Sequence, residues 1–188
     1  MANTIYCDTS DITELAKKAR GILSDGSIRQ ATATGMNETL KHIAAATKKQ
    51  VQAEYYVTKS IDKSLEKKRA SASDLTAEAR YTGKPIPLFV FKHTAARNQY
   101  RSPVTVTIKR ANGAQTSGSN PVLFKTYSYK YKKVMRRDAG QKNIRTAYTV
   151  SIPQMVRSDE VYEAVAKSAE QYLYKRVAYQ LQKRIDKL

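Results

Sequence analysis

Residues 121–155 run PVLFKTYSYKYKKVMRRDAGQKNIRTAYTVSIPQM, the clearest strand pattern in the chain lying within its densest positive charge. Between Lys125 and Arg145 stand Lys130, Lys132, Lys133, Arg136, Arg137 and Lys142, with Asp138 the only acid. Tyr127, Tyr129 and Tyr131 alternate with Ser128 and Lys130, a period of two that puts the three rings on one face of a strand. Asp138-Ala139-Gly140 carries turn chemistry, because glycine takes positive φ without steric cost and aspartate bonds its own backbone. A second strand is expected from Ile144 to Ile152, ending at Pro153. The expectation is a basic, tyrosine-rich hairpin whose geometry is set by Gly140 and Pro153.

On the N-terminal side of this hairpin, Val104, Val106 and Ile108 alternate with threonines and a lysine as a β-branched strand, and 112–120 is a Gly/Ser/Asn-rich loop. Upstream, Ile86 to Lys92 reads as a short extended segment interrupted by Pro87, after a Gly83-Lys84-Pro85 turn; 93–103 reads as a loop. Ala70 to Tyr81 alternates with one slip near Ser73-Asp74, a strand with a bulge. Thr58 to Lys68 reads as a short helix pointing Ile61 and Leu65 inward. Ser27 caps a long helix to about Glu54 with Ile28, Thr32, Met36, Leu40, Ile43, Thr47 and Val51 on one face. Ser10 or Asp11, with Glu14 completing a capping box, opens a first short helix, and residues 1–9 read as a mobile arm.

On the C-terminal side, Ser158-Asp159-Glu160 opens the longest helix, with acids in the first turn where the macrodipole favours them. Val161, Val165, Ala169, Leu173, Val177, Leu181 and Ile185 form an i+4 ladder along it. Helices and strands do not alternate as βαβ units. The expected class is α+β, a single domain over 10–188: two long helices on a mostly antiparallel four- to five-stranded sheet, short helices near the N-terminus.

The 188 residues carry 34 Lys plus Arg against 16 Asp plus Glu, a formal charge of +18. That exceeds the magnitude of about 2–8 usual for a small soluble domain, so an anionic partner is expected. One core is expected at this length. Cys7 stands alone, which excludes an internal disulfide and fits a reducing compartment. The longest apolar run, Leu88 to Phe91, is far too short to span a bilayer, and the N-terminus lacks signal-peptide order; a soluble intracellular protein is expected. His42 reads as a surface or interface residue of a helix, and His93 as a solvated loop histidine or, failing that, a partner of Lys92 or Arg97 around an anion; no phosphate loop, dinucleotide fingerprint, zinc spacing or nucleophile elbow is present. No enzymatic activity and no cofactor or metal is expected.

The hairpin leaves three readings open. Its tyrosines could stack bases while Lys130, Lys132, Arg136 and Arg137 neutralise phosphates. They could equally pack against the sheet, or lie in a subunit interface, where Tyr and Arg are enriched. Lys130, Lys132, Lys133, Arg136 and Arg137 are the candidate electrostatic surface, and Tyr127, Tyr129 and Tyr131 the candidate packing or partner contacts.

Several local motifs resemble the minor tail protein Z family of tailed phages, the tail completion proteins. They are Met36-Asn37-Glu38-Thr39-Leu40 in a helix, Tyr56-Val57-Thr58-Lys59-Ser60-Ile61, Arg69-Ala70-Ser71, Gly83-x-Pro85-Ile86-Pro87-Leu88 and Phe91. Arg136-Arg137-x-x-Gly140 and Ser151-Ile152-Pro153-Gln154-Met155 before a basic C-terminal helix complete the set, over roughly residues 15–188. The resemblance implies a virion structural protein, made in the host bacterial cytoplasm, at the head-proximal end or neck of the tail. Its implied partners are the tail terminator, the tail tube or tape-measure end and the head–tail connector proteins, with non-specific contact to phage DNA. A homo-oligomeric ring, six-fold for example, is the implied form, and no catalytic residue or membrane contact comes with it. The rival expectation, resting on the pI of 9.9, is a free basic nucleic-acid-binding protein.

Overall fold

A computed structural model describes residues 2–5, 9–57, 60–94, 105–111, 115–116, 122–128, 131–137 and 144–188. Its frame is a pair of long helices, α2 (Asp25–Glu54) and α4 (Asp159–Ile185), with α1 (Ser10–Ala19) lying against α4. The expected class, α+β with two long helices, is found, and the sheet is where expectation and structure part. Three small antiparallel sheets replace a single one of four to five strands. The first has the order β1 (Ala2–Thr4), β3 (Glu78–Thr82), β2 (Leu65–Lys68). The second is β4 (Lys92–Thr94), β5 (Thr105–Thr107), β6 (Gln115–Thr116). The third is β7 (Val122–Ser128), β8 (Tyr131–Arg137), β9 (Ile144–Thr146).

The two long helices form because each carries an uninterrupted apolar stripe, and they run antiparallel. Ser27 and Gln30 meet Arg184, Glu38 meets Arg176, and His42 meets Ser168. Gly35 faces Val177 so closely that a side chain on Gly35 would collide with it. The ladder Val161, Val165, Ala169, Leu173, Val177, Leu181 is buried as its spacing requires. In place of the single expected core, the interior falls into two clusters strung along this pair. One joins Ile12, Ala19, Ile28, Ala31, Val177 and Leu181; the other joins Leu40, Ile43, Val51, Val161 and Val165 to Tyr81, Ile86, Ile152 and Met155.

Helix starts shift by a few residues. Ser24, not Ser27, caps α2, its side chain accepting from the Ser27 amide at 3.4 Å. Thr9 occupies the cap position of α1 and makes no side-chain cap bond, so the expected Asp11–Glu14 box does not open that helix.

The expected helix over 58–68 is not found among the described residues 60–68. There, a single 3-10 turn at Asp62–Ser64 leads into β2, whose backbone pairs with β3 from Leu65↔Tyr81 to Lys68↔Glu78. Two apolar residues four apart do not offset the cost of nucleating a helix when a strand edge is available. The expected bulged strand at 70–81 shortens to β3 for a related reason. The Asn37 amide on α2 both donates to the Ala70 carbonyl (2.9 Å) and accepts from its amide (3.0 Å). Arg29 donates to the Ala72 and Ser73 carbonyls at 2.6 and 3.1 Å. A turn from Ser71 to Asp74 uses further backbone groups, so this stretch has its polar groups satisfied without a ladder.

Beyond β9 the chain stays extended along 86–88. Thr149 donates to the Ile86 carbonyl at 2.9 Å, Ile86 to that of Val150 at 3.2 Å, and Leu88 to that of Ala147 at 2.9 Å. It ends at Ser151, which opens the short helix α3 (Ile152–Val156) instead of continuing as a strand to Ile152. Ser151 accepts from the Gln154 amide, and the Gln154 side chain accepts from the Ser151 amide at 2.8 Å, a capping box. Pro153 sits in the first helical turn, where its missing N–H costs nothing. Its role is therefore to start α3 and not to shape the hairpin. Beside this cluster the hydroxyls of Tyr81 and Thr47 are buried as neighbours, and among the described residues neither makes a well-formed hydrogen bond. Burial pushes the Tyr81 hydroxyl above its ordinary pKa, the neighbouring Thr47 pulling the other way.

Candidate functional site

The basic segment is two linked hairpins. β7 pairs with β8 from Val122↔Arg137 to Ser128↔Tyr131, and β8 with β9 from Met135↔Thr146 to Arg137↔Ile144. β7 ends at Ser128 and β8 begins at Tyr131, so what the alternation presented as one strand belongs to two. Tyr127 stands opposite Lys132, and Tyr131 opposite Ser128, so Tyr127 and Tyr131 occupy different strands. The candidate cations Lys132, Lys133, Arg136 and Arg137 all belong to β8. Tyr129, Lys130 and Gly140 lie outside the described residues. Gly140 belongs to the connection between β8 and β9, the link the sequence placed there.

Positive charge and aromatic rings meet at the C-terminal end of α2, where the sequence offered only a pairing of His93 with Lys92 or Arg97 around an anion as the lesser reading of a loop. The helix stops when Tyr55 turns to extended backbone. Residues 55–57 are then held on two sides, Tyr55 bridging to Lys109 and Val57 to Phe91. Tyr56 donates to the Ile108 carbonyl at 2.9 Å, and the Arg110 amide donates to the Glu54 carbonyl at 2.8 Å. This clamp sets Tyr56 between cations: the Arg110 guanidinium lies 4.1 Å and Lys92 Nζ 4.9 Å from its ring centroid. Arg110 Nε donates to the Gln52 carbonyl at 3.1 Å, a last-turn position where the dipole favours a cation. His93 Nδ1 donates to the Phe91 carbonyl at 2.8 Å. Tyr55-Tyr56 closing a helix, and Lys92 and Arg110 beside short strands, were the available signals; nothing in the sequence says that they converge.

Beside the cleft, Lys109 lies 5.7 Å from the Tyr55 ring and donates to Glu160 at 3.2 Å, which ties the clamp to the first turn of α4. The Glu160 contact raises the Lys109 pKa. Glu160 is held below the usual carboxylate range by its own backbone amide and then by Lys109. His42 stacks on Tyr172 with centroids 4.2 Å apart and hydrogen-bonds Ser168 at 2.9 Å, a packing role in the helix pair. Among the described residues, no cluster of three His, Cys, Asp or Glu could hold a metal ion, and no helix is long and apolar enough to cross a membrane. No family model, curated protein or solved structure matches the chain.

Proposed function

We propose that the chain is a virion structural protein that completes a phage tail at its head-proximal end. The observation that carries the reading is the run of short motifs shared with the tail completion proteins, of which Ser151-Ile152-Pro153-Gln154-Met155 after a basic hairpin is the most distinctive. That segment has a defined mechanical place here. Its capping box and buried Ile152 and Met155 fix the chain in the core immediately before α4. The paired strands of the hairpin precede that anchor in the chain, and β8 lies against the 88–90 segment. The +18 charge supports a seat among anionic neighbours, whether acidic ring subunits or passing DNA. Work of this kind is done by shape and charge and needs no catalytic residue.

Removing the coding sequence from the producing genome tests the reading. The expected result is filled heads beside separate tails in electron micrographs, with joined particles restored when the chain is supplied in trans. Joined, infectious particles at the wild-type yield without the chain would overturn it.

A further inference from the structure

We propose that the cleft at the C-terminal end of α2 binds single-stranded nucleic acid, with Lys92 and Arg110 holding phosphate and Phe89 stacking a base. The cleft encloses about 660 Å³ and is open on one side, room enough for a base with its phosphate. Its lining includes Tyr56, Phe89, Phe91, Lys92, His93 and Arg110 and, among the described residues, no aspartate or glutamate. Among the described residues, neither Lys92 nor Arg110 forms an ion pair. Both cations are instead held by the Tyr56 ring, and Arg110 also by the Gln52 carbonyl through Nε. This leaves the terminal amines of a positioned guanidinium to meet an anion, with little side-chain entropy left to lose on binding.

The aromatic component selects among anions. Phe89 is 37% exposed, one of few large apolar side chains that the described residues leave so open. An acidic peptide would satisfy the cations and leave Phe89 against water. A duplex would offer phosphates but keep its base faces stacked within the helix. An unpaired strand offers both, a charged backbone for Lys92 and Arg110 and a free π-face for Phe89, the combination by which stacking platforms hold single strands. Recognition through a π-face and a phosphate is indifferent to base identity, so weak sequence preference is expected. The cleft would act in this way whether or not the chain is a tail protein.

A protein of this charge attracts any polyanion, so the test must separate the cleft from the rest of the surface. The chain has no tryptophan, and Phe89→Trp therefore installs a single reporter at the proposed stacking position. A short oligothymidylate is expected to quench its fluorescence, and poly-glutamate at equal charge to leave it unchanged. In anisotropy titrations of the same labelled oligothymidylate against the full chain, Phe89→Ala should weaken binding roughly five- to 150-fold, the range for losing one stacked base. The Lys92→Gln/Arg110→Gln pair should lower the slope of log affinity against log salt by about 1.4, two single-strand phosphate contacts. The charge-matched Lys17→Gln/Lys18→Gln pair on exposed α1 should change the slope by less than half of that, with circular dichroism confirming the fold of each variant. Equal slope changes from the two pairs would overturn the proposal. So would an unquenched tryptophan at saturating oligonucleotide, or quenching by poly-glutamate to the same extent. The tryptophan readout decides the matter even if the cleft pair fails to fold.

Discussion

Gly35→Ala tests the packing of the helix pair on which both apolar clusters depend. A Cβ at Gly35 would lie 2.7 Å from Val177 Cγ2, 3.0 Å from Val177 N and 3.1 Å from Val177 Cα. Carbon atoms pack at about 3.5–4.0 Å, so all three contacts are too short. A rotamer change in Val177 could relieve only the first, since the other two are backbone and Val177 is fully buried. The helices must separate or shift, an overpacking cost of about 1–3 kcal/mol. Against this, alanine gains about 0.8–1.0 kcal/mol over glycine in a helix interior. The net expectation is a loss of about 0–2 kcal/mol in urea denaturation, where any other open helical glycine would gain. Gly26→Ala is the control, because nothing lies within 4 Å of the methyl group it would add. Val177→Ala empties a fully buried position and is costly alone, so the relieved Cγ2 contact should show as a double variant Gly35→Ala/Val177→Ala less destabilised than the two single losses added together. Gly35→Ala that stabilises the chain by about 1 kcal/mol, as an open site would, would refute the close approach.

Other consequences follow from single contacts. Asn37→Ala strips both partners from the Ala70 backbone and is expected to cost about 1–3 kcal/mol in the same assay, with earlier proteolysis in 70–76 than elsewhere. Tyr81→Phe removes a buried hydroxyl that makes no well-formed hydrogen bond among the described residues; unfolding should show unchanged or higher stability, and a loss above about 1 kcal/mol would mean that it is bonded, the neighbouring Thr47 hydroxyl being the candidate. The Glu38 carboxylate is held below its ordinary pKa first by its hydrogen bond from Arg176, against some desolvation. Its folded pKa being the lower, its contribution is full above the ordinary carboxylate value and is lost as pH falls through the folded one. Glu38→Gln should therefore flatten the acid limb of the stability curve, measured by thermal melts between neutral pH and pH about 3.

The two long helices could be read from sequence because each repeats an apolar residue every third or fourth position over many turns, and the burial of Val161 through Leu181 follows that ladder. The single sheet failed because its pieces are too short for periodicity to fix their partners. At 70–76 the deciding groups, Arg29 and Asn37, belong to another element and looked like solvent-facing residues of α2. At 127–131 the alternation runs on from the end of β7 into the start of β8, and Tyr129-Lys130 between them carries no Gly, Asn or Asp to mark a break. The capping box Ser151-x-x-Gln154 was legible as a helix start and was read only as a strand end at Pro153. The cleft could not be read, because Tyr56, Lys92 and Arg110 are joined only by the bridges that seat 55–57 between two distant segments.

The most direct test of the proposed tail role is immunogold labelling of intact particles with antibody to this chain, seen by negative-stain electron microscopy. Gold at the junction of head and tail is the predicted result. Gold absent from both intact and disrupted particles, with the chain recovered free from the lysate, would contradict it.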